Sequence, residues 1–323
     1  MNKKNLATII LSFITVGILI FITADLWSSI NSFRTSQDLK KANNVTKIKV
    51  VTSFYPLYFF SQQIAGDKAD ILNIAPIGVS PHNYQPTTQE LAKIENSNLI
   101  ILNGLGLEPW SDSVQSMAER KGLAFIFASG NLSENQVIES EKDKSDPHIW
   151  LSPVMAKQMV DKILDGFVKV DAKNSDYYKT NANKLKLELD RLDLEYKNGL
   201  ADCENKNIVV LHSAFSYLAK DYGLNQLLLS GVSVNEELSE QQMKNITDLA
   251  TDQNIKYFFV ESLASSEWQK NVEEKTGVKI LSLNNMEIST TQDQTNGENY
   301  FLKMRRNLMN LETGLDCGNN LKR

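Results

Sequence analysis

Histidine is scarce in this chain, since only His82, His148 and His212 occur among 323 residues. None of them lies in a His-Glu-x-x-His pattern, so the helix-borne zinc site of many metalloproteases is excluded. The intervals of 66 and 64 residues between them do not form a local zinc motif either. A metal held by these side chains would need residues that only the folded chain brings together.

Cysteine is scarcer still, with Cys203 and Cys317 alone. Outside the cytoplasm these two residues could pair as a disulfide, and two unpaired thiols are the alternative. The chain also lacks an excess of basic residues, because 39 acidic and 34 basic side chains leave a net charge of −5. Nucleic-acid binding, which rewards a basic face, is therefore not favoured.

The first 24 residues contain an uncharged, mostly apolar stretch from Asn5 to Ala24, preceded by Lys3 and Lys4. About 20 apolar residues suffice to cross a bilayer, and the lysines favour a cytoplasmic N-terminus. We therefore predict a membrane anchor in residues 1–24, a polar tether in 25–46, and the remaining chain on the extracytoplasmic face of a bacterial membrane. A signal peptide cleaved after Ala24 is the alternative. No cysteine lies directly after the apolar stretch, so we do not expect a lipidated anchor.

From Lys47 onward, short apolar segments alternate with helical ones in two separate series, which is typical of parallel sheets covered by helices. Capping boxes at Thr87/Glu90 and Ser239/Gln242 mark two of the helix starts. The predicted strands are Ile48–Ser53, Ala69–Ala75, Leu99–Leu102 and Ala124–Ala128 in the first series, then Ile208–Leu211, Leu227–Leu229, Tyr257–Val260 and Lys279–Leu283 in the second.

Between the two series, apolar residues at spacings of three and four predict one long helix from about Ser175 to Asn198. The predicted fold is α/β, with two parallel-sheet, (β/α)4-like lobes joined by this helix. We assign residues 47–174 to the first lobe, 175–199 to the linking helix and 200–323 to the second lobe. A helical connection predicts little movement between the lobes.

Several polar residues follow predicted strands, where ligands bind in open α/β sheets. His212 and Glu287 follow strands of the second lobe, and His82 and His148 lie in loops of the first. Three imidazoles and one carboxylate match the tetrahedral N and O coordination of zinc, whereas manganese favours more carboxylates. Ordinary hydrogen-bonded or exposed histidines are the alternative, and spacing alone does not decide between them.

Four motifs carry a family resemblance: Pro81-His-Asn-Tyr-Gln-Pro-Thr87, Asn103-Gly-Leu-Gly-Leu-Glu-Pro-Trp110, Asp146-Pro-His-Ile-Trp-Leu-Ser-Pro153 and His212-Ser-Ala-Phe215. From about Lys47 to Leu315 the chain resembles the zinc/manganese solute-binding proteins of ABC transporters. The resemblance implies two α/β lobes joined by a rigid helix, with metal in the cleft between them. It also implies that His82, His148 and His212 are metal ligands, and a histidine at the third of these positions is typical of the zinc members.

The fourth ligand implied by the resemblance is Glu287, in Leu283-Asn-Asn-Met-Glu-Ile288, where the family's usual neighbouring proline and glycine are missing. The alternatives are that Glu287 lies on the surface and that Glu261, after the strand Tyr257–Val260, replaces it. We expect Glu261 instead to orient a histidine. Tyr84, Trp110 and Trp150 flank the motifs and are predicted to be packing residues.

These observations predict a zinc-binding receptor, not an enzyme, that delivers Zn²⁺ as a transported ligand to an ABC permease and its ATPase. We expect a monomer that binds Mn²⁺ more weakly and does not bind nucleic acid. A manganese receptor of the same family is the first alternative. The others are a zinc hydrolase, which would need an open coordination position, and an adhesin.

Overall fold

The computed structural model describes Trp27 and residues 47–139, 144–229, 239–261, 266–288 and 297–318. The predicted anchor in residues 1–24 and the tether in 25–46 lie outside these residues, apart from Trp27. Within the described ranges, the structure contains no helix that is both long enough and apolar enough to span a bilayer.

The first lobe contains a four-stranded parallel sheet in the order β2-β1-β3-β4. The central strand β3 is apolar and buried along its whole length, as expected for a parallel sheet with helices on both faces. The strands are β1 (Ile48–Thr52), β2 (Ala69–Asn73), β3 (Leu99–Leu102) and β4 (Ala124–Phe127), and the helices are α1 (Tyr55–Ala65), α2 (Thr88–Glu95), α3 (Ser111–Lys121) and α4 (Pro153–Val170).

The second lobe repeats this arrangement with a parallel sheet in the order β6-β5-β7-β8. The edge strand β6 begins earlier than predicted, because the polar residues Asn225 and Gln226 pair with β5. The strands are β5 (Asn207–Val210), β6 (Asn225–Leu228), β7 (Tyr257–Val260) and β8 (Lys279–Ser282), and the helices are α6 (Ser216–Tyr222), α7 (Glu240–Asp252), α8 (Ser266–Thr276) and α9 (Tyr300–Gly314).

Helix α5 (Ser175–Gly199) links the two lobes and has 25 residues. Near its N-terminal end, Asn181 Nδ2 donates to the Ile64 carbonyl of α1 at 3.1 Å. Near its C-terminal end, Tyr196 OH donates to the Met304 carbonyl of α9 at 2.7 Å. At 1.5 Å per residue the helix is about 37 Å long. Through these two hydrogen bonds a single helix contacts both lobes. The two-lobed α/β fold predicted from the sequence is confirmed.

Local sequence signals explain two of the helix starts. Thr87 N donates to Glu90 Oε2 at 2.7 Å and Glu90 N donates to Thr87 Oγ1 at 3.3 Å, which is the predicted capping box of α2. Ser239 and Gln242 form the same reciprocal pair at the start of α7. Each box satisfies backbone N–H groups that have no partner inside the helix.

The two cysteines form a disulfide between Cys203 and Cys317. Cys203 follows helix α5 and Cys317 follows helix α9, so the bond joins the beginning of the second lobe to its end. The sequence left a disulfide and two free thiols open, and the structure decides for the disulfide. The closed loop spans a sequence separation of 114 residues.

Candidate metal centre

The structure brings His82, His148, His212 and Glu287 together, with one possible ligand atom from each lying within 4.8 Å of the others. His148 Nε2 lies 3.2 Å from His82 Nε2 and 3.1 Å from His212 Nε2. Glu287 Oε1 lies 2.9 Å from His148 Nε2, 3.3 Å from His212 Nε2 and 3.6 Å from His82 Nε2. Tetrahedral zinc with ligands at about 2.0–2.1 Å has ligand–ligand separations of roughly 3.3 Å. These separations match the coordination sphere of zinc.

Hydrogen bonding alone does not account for this cluster. Three atoms lie within 3.2 Å of His148 Nε2, which can carry at most one hydrogen and can donate it to only one of them. A cation placed between the four atoms would satisfy all of their lone pairs together. The donor set therefore fits a metal ion better than it fits a network of neutral side chains.

The position of each residue follows from the sheet topology. His212 comes two residues after β5 and Glu287 five residues after β8, both at the carboxyl edge of the second sheet. His82 lies in the loop between β2 and α2, and His148 lies just before the 3-10 turn Ile149–Leu151. Each lobe therefore contributes two of the four side chains.

His148 is the most tightly held of the three histidines. It is 3% exposed, and its Nδ1 donates to Asp146 Oδ1 at 2.7 Å, which leaves Nε2 to face the other three side chains of the cluster. Burial alone would lower the pKa of His148, but hydrogen bonds to the carboxylates of Asp146 and Glu287 raise it to about 9. Below about pH 9, the imidazole of His148 is therefore protonated in the absence of metal.

Glu287 is also buried, at 5% exposure, so the alternative of a surface glutamate is wrong. Burial raises the pKa of its carboxyl group, but hydrogen bonds with His148, His212 and His82 hold the pKa well below its usual range. The side chain therefore keeps its negative charge inside the cleft. A buried anion facing three imidazoles is a strong attractor for a divalent cation.

The sequence of this chain matches a known protein family. Residues 50–314 match the family described as ZnuA, zinc-uptake complex component A, periplasmic. The chain belongs to this family. The resemblance drawn from the four sequence motifs is confirmed, and the ZnuA family is one of solute-binding receptors.

Individual relatives agree with this assignment. The chain is 32% identical over 280 residues to the high-affinity zinc uptake system protein ZnuA of Bacillus subtilis, covering 83% of this chain and 88% of that protein. It is 32% identical over 281 residues to the zinc-binding lipoprotein AdcA of Streptococcus pneumoniae, covering 84% of this chain but only 56% of AdcA. The chain therefore spans little more than half the length of AdcA.

A solved structure extends the likeness to the fold. The crystal structure of the Zn(II)-bound ZnuA-like domain of S. pneumoniae AdcA superposes with a TM-score of 0.79 at 32% sequence identity. The match covers 84% of this chain and 99% of that domain. The part of AdcA that this chain resembles is thus a complete ZnuA-like domain.

This ZnuA-family chain holds the Glu287 loop without the usual proline and glycine. Asn307 Oδ1 accepts from Asn284 N at 2.8 Å, and Asn307 Nδ2 donates to the Asn284 carbonyl at 2.8 Å. Asn284 Oδ1 in turn accepts from Met286 N at 2.7 Å, and Met286 adopts a left-handed backbone conformation with φ 59°. Neither Asn284 nor Asn307 was predicted to contribute to the site, although the consecutive asparagines Asn284 and Asn285 are a signal for a turn.

The loop that carries His212 depends on another residue that the sequence analysis missed. Gln226 of β6 accepts from Phe215 N at 2.7 Å through Oε1. Its Nε2 donates to Ser213 Oγ at 2.8 Å and to Ser216 Oγ at 3.0 Å. The available signal was a polar residue directly before the predicted strand Leu227–Leu229.

Glu261 lies beside the four-atom cluster without contributing to it. The register of β5 and β7 pairs Val210 with Phe259, so His212 and Glu261 follow their strands at equivalent positions. Burial raises the pKa of Glu261, the nearby His212 opposes this effect, and Glu287 adds to it. Its Oε1 is buried and has no hydrogen-bond partner within the described ranges.

The three aromatic residues that flank the motifs pack as predicted. Trp150 is fully buried and Trp110 is 6% exposed. Tyr84 packs against two apolar clusters, one confined to the first lobe and one that contains residues of both lobes. The ring centroids of Trp150 and His148 are 5.2 Å apart, so the indole forms part of the wall behind this histidine.

Proposed function

We propose that this chain is an extracytoplasmic receptor that binds one Zn²⁺ and delivers it to an ABC permease driven by an ATPase. The ligands are Nε2 of His82, His148 and His212 and the carboxylate of Glu287. The observation that carries the proposal is the convergence of these four atoms, with the separations to Glu287 Oε1 lying between 2.9 and 3.6 Å.

The donor set favours zinc over manganese. Three imidazole nitrogens and one carboxylate suit Zn²⁺, whereas Mn²⁺ prefers a site richer in oxygen. The negative charges of Glu287 and Asp146 together balance a divalent cation. The buried position of both carboxylates makes this charge balance important.

A carrier site is favoured over a hydrolytic one. Catalytic zinc sites usually have three protein ligands and an open position for an activated water. Glu287 fills the fourth position here, since its Oε1 lies near all three histidine nitrogens. In this proposal Glu261 is not a ligand and acts through its negative charge next to His212.

The domain assignment is part of the proposal. Residues 47–174 and 200–323 form the two metal-binding lobes, and residues 175–199 form a rigid connection that limits their movement. Residues 1–24 act as a membrane anchor or a cleaved signal, followed by the tether in 25–46. The disulfide between Cys203 and Cys317 supports an oxidising, extracytoplasmic location.

Metal content tests the proposal directly. The full chain, expressed without a histidine tag, is expected to contain one zinc per molecule by elemental analysis and to prefer Zn²⁺ to Mn²⁺ in competition titrations. Stoichiometric manganese without zinc would overturn the metal assignment. Metal-dependent turnover of ester or peptide substrates that is lost in His82→Ala would overturn the receptor assignment.

A further inference from the structure

Hydrogen bonds that do not involve the metal-facing atoms also join the two halves of the centre. Trp150, in the first lobe, donates from Nε1 to the Asn285 carbonyl in the second lobe at 2.8 Å. In the opposite direction, Tyr300 OH at the start of α9 donates to the Trp150 carbonyl at 2.7 Å. Trp150 therefore both donates and accepts a hydrogen bond across the cleft.

Trp150 and Asn285, which share the indole hydrogen bond, lie close in sequence to two of the four proposed ligands, His148 and Glu287. Trp150 follows His148 by two residues, and Asn285 precedes Glu287 by two residues. Asn285 Oδ1 also accepts from Glu287 N at 3.1 Å. The contacts thus form a closed ring from His148 through Trp150 and Asn285 to Glu287, whose Oε1 lies 2.9 Å from His148 Nε2.

The surroundings of Trp150 hold the indole in one orientation. Its ring packs against the edge of Phe54 with centroids 4.6 Å apart, and the side chain is fully buried. Tyr300 is also fully buried and packs against Phe60, with centroids 4.9 Å apart. A buried indole N–H that loses its acceptor has no water to replace it, so a shift of one lobe against the other would be opposed at this point.

We propose that Trp150 is a positioning residue that sets the separation of His148 and Glu287 before the metal arrives. This inference rests on the proposed zinc-binding function and explains how the site is assembled. A preformed site needs less ordering when it binds. If the lobes lose this connection, only a fraction of molecules presents the ligands correctly, and the apparent affinity falls by that fraction.

The test is Trp150→Phe in the full chain, because phenylalanine keeps an aromatic ring and removes the N–H donor. We expect zinc affinity, measured by competition with a chromophoric chelator, to fall about tenfold if the competent fraction falls to about one tenth. Melting of the metal-free protein is measured in parallel. A residue with only a structural role would lower the melting temperature without changing the affinity measured well below it.

The chain offers a matched control in Trp110→Phe. Trp110 is a buried tryptophan of the same lobe, and no hydrogen-bond partner for its Nε1 is found in the described part of the chain. We expect the Trp110→Phe variant to bind zinc with the same affinity as the wild type. Tyr300→Phe removes the other hydrogen bond that Trp150 makes across the cleft and leaves the indole intact, so it should weaken zinc binding in the same direction by a smaller factor.

The outcomes separate this inference from the proposed function. A wild-type chain that binds no zinc overturns the function itself. If the wild type binds zinc and Trp150→Phe binds it equally well, or Trp110→Phe loses as much affinity, only the positioning role is overturned. Should Trp150→Phe fail to fold, an unchanged affinity in Tyr300→Phe would likewise overturn it.

Discussion

The proposed metal centre has an inner and an outer pair of candidate ligands, and each pair contains one residue from each lobe. The inner pair is His148 and Glu287, whose side chains are both 4% exposed. The outer pair is His82 and His212, whose side chains are 29% and 40% exposed. Asp146 holds the inner histidine from behind, whereas the outer imidazoles face water. The difference shows that the inner pair is organised by folding, while solvent reaches the centre past the outer pair.

Removing one histidine from each pair tests this comparison with the largest expected effect. We expect His148→Ala to reduce zinc affinity by more than about a hundredfold, beyond the range typical of lost outer-shell partners. His212→Ala should lose less, because water can enter at the exposed position and replace the missing nitrogen. Chelator competition on both variants gives the two affinities. Equal losses would show that the distinction between inner and outer ligands has no energetic meaning.

A second comparison concerns two carboxylates of the second lobe, the buried Glu287 and the partly buried Glu261. Glu287→Gln keeps the shape of the inner ligand and removes its charge, so zinc affinity should fall by about a hundredfold, as expected for a lost anionic ligand. Glu261→Gln removes a charge beside His212 and should cost about tenfold or less. If Glu261→Gln has the larger effect, the fourth ligand is Glu261 and the inner pair must be redefined.

The third comparison is between zinc affinities at different pH values, and the expected dependence on pH arises from the inner pair. The pKa of His148 is raised to about 9 in the metal-free protein, so below that pH its proton must leave before zinc binds. Zinc affinity should therefore rise by up to about tenfold per pH unit from pH 7 to 9. Isothermal titration in buffers of different ionisation enthalpy counts the released protons.

The raised pKa of His148 also makes the stability of the fold depend on pH. Because the pKa of His148 is higher in the folded than in the unfolded chain, its contribution to stability is fully present below about pH 6.5. This contribution is lost as the pH rises toward 9. Asp146→Asn removes one of the two carboxylates responsible and should flatten both profiles. Asp171→Asn is the control, because Asp171 is also buried but accepts from Tyr178 OH at 2.6 Å, away from the centre.

Much of the fold was predictable because its signals are local. The apolar strands, the capping boxes at Thr87 and Ser239, and the spacing of apolar residues in α5 each depend on a few neighbouring residues. The turn at Asn284 had a local signal, but its pairing with Asn307 was not predictable, since the two residues are 23 positions apart. The disulfide was equally undecided, because two cysteines separated by 114 residues carry no information about their distance in space.

For the metal centre, the sequence by itself determined which residues could take part. The alternation of strands and helices places His212, Glu261 and Glu287 after parallel strands, and parallel strands end at one edge of a sheet. Only the tertiary structure decided that Glu287 joins the histidines while Glu261 stays beside them. That choice depends on the packing of the two lobes through Trp150, Asn285 and Tyr300, which brings Glu287 Oε1 to 2.9 Å from a histidine 139 residues earlier in the chain.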